Sequence, residues 1–124
     1  MVVGKPLAML MLQKHATVTI AHSRTVDFGA TCRNAEVLVA AVGRPRMITE
    51  DMISEDAVVV DVGINVDVNG NLCGDVDYDN VEAKTSYISP VPRGVGSVTT
   101  SVLAKHVVRA AEYLNRREIY EAEK

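Results

Sequence analysis

Ala57-Val58-Val59-Val60-Asp61-Val62-Gly63-Ile64-Asn65 is the stretch whose reading decides the fold. Its β-branched run carries no alternation of polar side chains, so it predicts a strand buried on both faces, as in a parallel sheet covered by helices. In open sheets of that kind a ligand binds beyond the carboxyl ends of the strands. Gly63, Ile64 and Asn65 therefore fall where the backbone leaves the sheet to meet one. Gly63 permits close approach; the plainer alternative is a turn that Gly63 relieves and Asn65 caps.

Working outward, residues 36–42 form a second buried apolar run ending in Gly43-Arg44-Pro45, and residues 86–89 a third, stopped by Pro90. Residues 26–34 predict a short helix and residues 48–53 a brief helical turn with Thr49 as its cap. Val81 to Lys84 predicts another short helical piece. Asn69-Gly70, flanked by Val66, Val68 and Leu72, is a strong hairpin signal that interrupts the parallel pattern. Upstream, residues 16–21 are rich in β-branched residues and predict a strand that ends in the polar turn His22-Ser23-Arg24-Thr25. Residues 7–15 predict a helix with Pro6 in its first turn, and residues 98–116 a long final helix with Leu103, Val107, Ala110 and Leu114 on one stripe. Alternating strands and helices imply an α/β, Rossmann-like, doubly wound and mostly parallel sheet. A nucleotide fold of this class would place its first strand and phosphate turn just before the first helix, and Met1-Val2-Val3 is too short to supply them. The sheet is thus expected to lack its usual first strand.

At 124 residues the chain is one domain, short for an enzyme that must hold both a cofactor and a substrate. The formal charge of -3 opposes a nucleic-acid partner, since only the Arg116-Arg117 pair hints at a basic face. Cys32 and Cys73 have neither metal-site spacing nor disulfide density, which suits a reducing, cytoplasmic setting. No apolar run reaches the length of a membrane span and no secretory signal opens the chain, so no membrane is expected.

Ser23 and Arg24 sit at the end of the predicted strand 16–21, where an acidic residue would take the ribose hydroxyls of NAD and an arginine the 2′-phosphate of NADP. A hydroxyl and a planar cation suit phosphate oxygens; a helix cap at Thr25 with a solvated Arg24 is the alternative. The run Pro90-Val91-Pro92-Arg93-Gly94-Val95-Gly96-Ser97-Val98-Thr99-Thr100 joins stiff prolines, bare glycines and hydroxyls at a helix start, a chemistry that presents N–H donors to a polar ligand. Asp67, Asn69 and Asn71 do not make a calcium loop, because Leu72 and Tyr78 stand where that loop needs Gly and Glu. Asp75, Asp77 and Asp79 read as a polar turn and helix cap, so no metal site is expected. His15 and His106 read as surface or packing residues.

With these segments in order, the chain resembles the C-terminal, NADP-binding half of the bifunctional methylenetetrahydrofolate dehydrogenase/cyclohydrolase family, known as FolD. The likeness rests on Val3-Gly4-Lys5-Pro6, His22-Ser23-Arg24-Thr25, Ala41-Val42-Gly43-Arg44-Pro45, Asp61-Val62-Gly63-Ile64-Asn65, Gly74-Asp75-Val76-Asp77 and the Pro90 loop. It implies a domain over residues 1–124 that binds NADP. By that resemblance Ser23 and Arg24 face the 2′-phosphate, and Ile64, with Gly63 before it, meets the nicotinamide end through backbone. Val42, Gly43 and the segment carrying Gly94, Gly96 and Thr99 line the cleft between nicotinamide and folate. The family loop commonly reads Pro-Gly-Gly-Val-Gly-Pro-Met-Thr, so Arg93 and Ser97 depart from it. The resemblance also implies a homodimer, and a folate substrate held by an N-terminal domain outside this chain. The family's catalytic Lys and its Tyr, Gln and Asp partners lie there too, so no catalytic residue is assigned here and the chain alone is expected to be inactive. A non-catalytic nucleotide-binding or assembly module of the same descent is the competing expectation, and an unrelated NADP-dependent dehydrogenase domain, which the Pro90 loop opposes, is a third.

Overall fold

The computed structural model describes residues 2–122, with side chains described as far as residue 116, so the side chain of Arg117 lies outside what is described. Three parallel strands form the centre: β1 (Val37–Ala40), β2 (Val58–Asp61) and β5 (Tyr87–Ile88), in the order β1-β2-β5. Val37 pairs with Val58 and Ala40 with Asp61, while Val58 pairs with Tyr87, so the β2 stretch is the middle strand. The strand ends at Asp61, earlier than the apolar run, with one further backbone hydrogen bond from Val62 N to Ala40 O at 2.9 Å. Between β2 and β5 lie β3 (Asn65–Val66) and β4 (Leu72–Cys73), an antiparallel pair whose turn places Gly70 at φ +83°. The Asn-Gly hairpin is therefore where the sequence puts it.

Among the described residues four α-helices accompany the strands. The first, α1 (Gly4–Gln13), starts before Pro6, which sits in the first turn where its missing N–H is no loss. It ends in a Schellman arrangement: Ala16 N–H donates to Met11 O at 3.1 Å and His15 N–H to Leu12 O at 3.0 Å, with His15 at φ +63°. A short α2 (Phe28–Arg33) is capped by Asp27, which accepts from Ala30 N, rather than by Thr25. Thr25 instead accepts from His22 N at 2.9 Å and closes the 22–25 turn on itself. Glu50–Met52 is a 3₁₀ turn with Thr49 at the cap position, but the Thr49 hydroxyl donates to Asp51 and does not cap. Another short helix, α3 (Tyr78–Val81), runs into a 3₁₀ turn, Glu82–Lys84. The last, α4 (Val95–Ala122), begins three residues before the predicted start.

One predicted element is not there. Residues 17–21 form no strand, and among the described residues no backbone hydrogen bond ties them. β-Branched composition makes a strand only beside a partner edge, and none of the described strands lies against this segment. The core is correspondingly central: Ala40, Ile48, Ile53, Ala57, Val59, Val76 and Val81 are buried, with Phe28, Leu38, Met52 and Ile88 packed against them.

Candidate functional site: the carboxyl ends of the parallel strands

β1 and β2 are parallel and in register, so their carboxyl ends deliver residues 41–44 and 62–65 to the same rim. There a cavity of about 190 Å³ is bordered by Ala41, Gly43, Val62, Gly63 and Ile64 together with Val3 and Gly4 at the opening of α1. The helix start has no side-chain cap, so its first N–H groups are left without a side-chain partner beside this largely apolar hollow. Gly43 stands at φ +69°, a left-handed conformation that favours glycine.

Of the residues singled out from the sequence, Gly43, Gly63 and Ile64 meet at this cavity. Ile64 is 75 % exposed, an apolar side chain held out from the strand end. Val42 is the neighbour of Gly43 and is partly exposed. Ser23 and Arg24 are exposed on their own turn, where Arg24 N donates to His22 Nδ1 at 3.1 Å. Gly94, Gly96 and Thr99 lie at the entrance to α4 and do not border the cavity. The hydroxyls there are already engaged with their own helix: Ser97 donates to Arg93 O, and Thr99 and Thr100 to Gly96 O. What that loop offers outward includes the exposed Arg93 side chain. Arg93 stands at φ +83°, where glycine is favoured, and Gly94 N–H donates to Pro90 O at 2.9 Å. The Val91–Pro92 peptide bond is cis. A second cleft, about 490 Å³, runs along this loop between Arg46, Cys73, Tyr78 and Arg93.

Two carboxylates escaped the sequence reading. Asp75 was expected in a polar turn but is completely buried, and Asp61, in the strand, is 3 % exposed. Each is saturated by donors, as a buried charge must be. Asp75 Oδ2 accepts from Val42 N at 2.6 Å and Gly43 N at 3.0 Å, and its Oδ1 from Arg44 N at 3.0 Å and Asn65 Nδ2 at 2.8 Å. Asp61 Oδ1 accepts from Gly63 N at 2.8 Å and Asp75 N at 3.1 Å, and its Oδ2 from Val76 N at 2.9 Å. Glycine is required on both sides: a Cβ on Gly63 would lie 2.5 Å from Asp75 N, and one on Gly74 would overlap the Asp61 carboxylate. Asp77 holds the cap position of α3, yet its side chain takes Asn80 Nδ2 at 2.6 Å instead. The signal available in the sequence was the pairing of an aspartate inside an apolar run with two nearby glycines, Gly63 and Gly74.

Both thiols are buried and free, and neither borders the rim cavity. Burial pushes the Cys32 thiol up, against the opposing charge of Arg33, which keeps it protonated and unreactive at neutral pH. Among the described residues no group of three or more His, Cys, Asp or Glu could hold a metal ion, and no helix is long and apolar enough to cross a membrane.

Residues 1–115 match the model of the tetrahydrofolate dehydrogenase/cyclohydrolase NAD(P)-binding domain. The chain belongs to this family. It is 58 % identical over 117 residues to the bifunctional protein FolD of Clostridioides difficile, covering 94 % of this chain and 41 % of that relative. The crystal structure of the bifunctional enzyme FolD from Campylobacter jejuni superposes with a TM-score of 0.85 at 40 % identity, over 90 % of this chain and 39 % of that one. A Trypanosoma brucei methylenetetrahydrofolate dehydrogenase-cyclohydrolase, solved with NADP cofactor and inhibitor, gives a TM-score of 0.76 at 39 % identity, over 85 % of this chain and 38 % of that one. The chain thus spans about two fifths of the length of these relatives, and the span is an α/β domain with a parallel central sheet.

Proposed function

We propose that this chain is the NADP-binding half of a bifunctional methylenetetrahydrofolate dehydrogenase/methenyltetrahydrofolate cyclohydrolase. The observation that carries the reading is the juxtaposition of the uncapped start of α1 with Gly43, Gly63 and Ile64 at the ends of β1 and β2, in a chain of the NAD(P)-binding family. Pyrophosphate would rest at the helix start, the nicotinamide beside the ends of β1 and β2, and the 2′-phosphate on Ser23 and Arg24. The Gly94–Thr99 region would face the folate. Bound NADP supplies the hydride acceptor that turns 5,10-methylene- into methenyltetrahydrofolate. This chain's residues would orient the ring and exclude water, and acid-base work would come from the part of the relatives that it does not span. On this reading the protein is cytoplasmic and homodimeric, residues 1–124 form one domain, and the chain alone yields no NADPH from methylenetetrahydrofolate.

Cofactor choice tests the proposal. The chain should bind NADPH more tightly than NADH by fluorescence titration, and Arg24→Ala should weaken NADPH by about 1.5 to 3 kcal/mol, the range of a hydrogen bond to a charged group. NADH affinity should hardly change. Equal losses for both would assign Arg24 to the structure of the 22–25 turn instead.

A further inference from the structure

The strand-end rim is held by the two buried carboxylates in series. Asp61, fixed in β2, gathers the N–H groups of Asp75 and Val76, and so places the backbone that carries Asp75. Asp75 then reaches across the rim to the N–H groups of Val42, Gly43 and Arg44 and to the side chain of Asn65. One buried side chain thus joins three segments: 42–44 after β1, Asn65 at the start of β3, and its own stretch 74–76 between β4 and α3. The last of these is braced further by Arg46 N donating to Gly74 O at 3.1 Å and Ile48 N to Asp75 O at 2.9 Å. Successive N–H groups converging on one point are an anion nest, and here the anion is the protein's own. The N–H donors of residues 42–44 are consequently spent inward on the protein's own carboxylate rather than on a ligand.

We propose that Asp75, seated on Asp61, is a positioning residue for the nicotinamide half of the cofactor: it fixes the turn 42–44 and Asn65 into the wall against which that ring docks. The proposal rests on the NADP reading given above. It is confined to one end of the cofactor, because Ser23 and Arg24 make no hydrogen bond with Asp75 or Asp61. Loosening the carboxylate should therefore cost the nicotinamide end and spare the adenosine end. Asparagine at position 75 keeps the shape but replaces one acceptor oxygen with an NH₂ group, so that two of the four donors would confront a donor.

The test uses the whole 124-residue chain with NADPH and with 2′,5′-ADP, which carries the adenosine and its 2′-phosphate but no nicotinamide. Asp75→Asn should weaken NADPH about tenfold or more while 2′,5′-ADP stays within about twofold. Amide exchange at Val42, Gly43 and Arg44 should accelerate at least tenfold, with β1 and β2 unchanged. Asn65→Ala, which removes one donor and leaves Asp75 in place, should show the same split in weaker form and serves if Asp75→Asn does not fold. Parallel loss of both ligands would make Asp75 a support of the whole domain and overturn the proposal. Freed amides with undiminished NADPH binding would overturn it equally, since the turn would then be fixed without consequence for the ring. If the unaltered chain binds neither ligand, the NADP reading itself fails, and that result is reached without any variant.

Discussion

Val59 in β2 and Val107 in α4 are the same side chain in regular secondary structure, yet Val59 is 1 % exposed and Val107 62 %. The contrast runs through the molecule. Between β1 and β5 the apolar residues interlock and the buried carboxylates are saturated, whereas on the flanks Met9, Leu10, Ile20, Val98, Leu103 and Leu114 each stand more than half exposed. A compact chain of 13.4 kDa would expose about 6,500 Å² by the usual scaling of surface with mass, and this one exposes 9320 Å². The excess teaches that an apolar stripe specifies a face and not its partner. Helical periodicity gives α4 its stripe, and nothing among the described residues covers it.

The largest effect should come from the middle. Gly74→Ala puts a methyl group into the Asp61 carboxylate, so either the methyl or the carboxylate must move. Overpacking costs about 1 to 3 kcal/mol and loss of a charged hydrogen bond about 1.5 to 3, so roughly 2.5 to 6 kcal/mol should disappear. That is comparable with the whole stability of a small domain, and chemical denaturation should find the variant largely unfolded in buffer. A Gly74→Ala chain with an unchanged midpoint would mean that the two carboxylates do not hold the middle together.

A matched pair then measures the contrast directly. Ile48→Ala empties a site that is 1 % exposed and should cost about 2 to 5 kcal/mol. Leu103→Ala, at a site 64 % exposed, should stay within about 0.5 kcal/mol in dilute monomer. A large loss at Leu103 would reveal a partner for α4, either another copy or a neighbouring segment, and concentration dependence of the midpoint would tell these apart.

The same division governs what could be foreseen. β1 and β2 announced themselves because β-branched runs form strands where a partner edge is at hand, but the expected cover on both faces is only partial: burial alternates along β2, and Ala40 alone is fully buried in β1. The Asn69-Gly70 turn was legible because its chemistry is local. Residues 17–21 carry the same kind of composition and fail to pair, since a strand is a property of two edges and the sequence of one edge cannot supply the other. Asp75 was misread for a related reason: Gly-Asp-Val-Asp looks like a solvated turn until the donors of residues 42–44, some thirty positions earlier, are brought onto its oxygens. Gly63 and Ile64 were legible from their place at a strand end and Gly43 from the family resemblance, and the parallel register of β1 and β2 brings all three to one rim. The placement of Gly94, Gly96 and Thr99 depends on where α4 lies, and strand order does not determine that.

Amide exchange sharpens the comparison residue by residue. Val58 and Val59, paired on both sides within β2, should exchange only through opening of the whole sheet, whereas Val18, Thr19 and Ile20 should exchange within about tenfold of an unstructured peptide. Protection at Val18 to Ile20 that vanishes on dilution would trace their pairing to a second copy. Protection that persists in a dilute monomer would break the contrast.

The smallest effect belongs to a third carboxylate, which does on the surface what Asp61 and Asp75 do in the interior. Asp67 Oδ1 accepts from Asn69 N and Asn71 N, each at 2.9 Å, and so holds the tip of the β3–β4 hairpin. The backbone hydrogen bond from Asn71 leads the causes that draw its carboxyl below the usual carboxylate value, with a weaker contribution from the bond to Asn69. A group whose folded pKa is depressed adds stability above its unfolded value and loses it as pH falls through the folded one. The hairpin should therefore be unaffected between neutral pH and about pH 5, and should loosen as acid protonates Asp67, near and below the ordinary carboxylate range of about 4. Chemical shifts of Asn69 and Asn71 amides should follow that titration, and Asp67→Asn should abolish it while leaving the melting of β1 and β2 nearly unchanged. Water already solvates this carboxylate, so its loss should stay local. A fall in the stability of the whole sheet that tracks the Asp67 titration would show that the hairpin tip is coupled to the middle, and the line between the saturated interior and the exposed rim would have to be redrawn to include it.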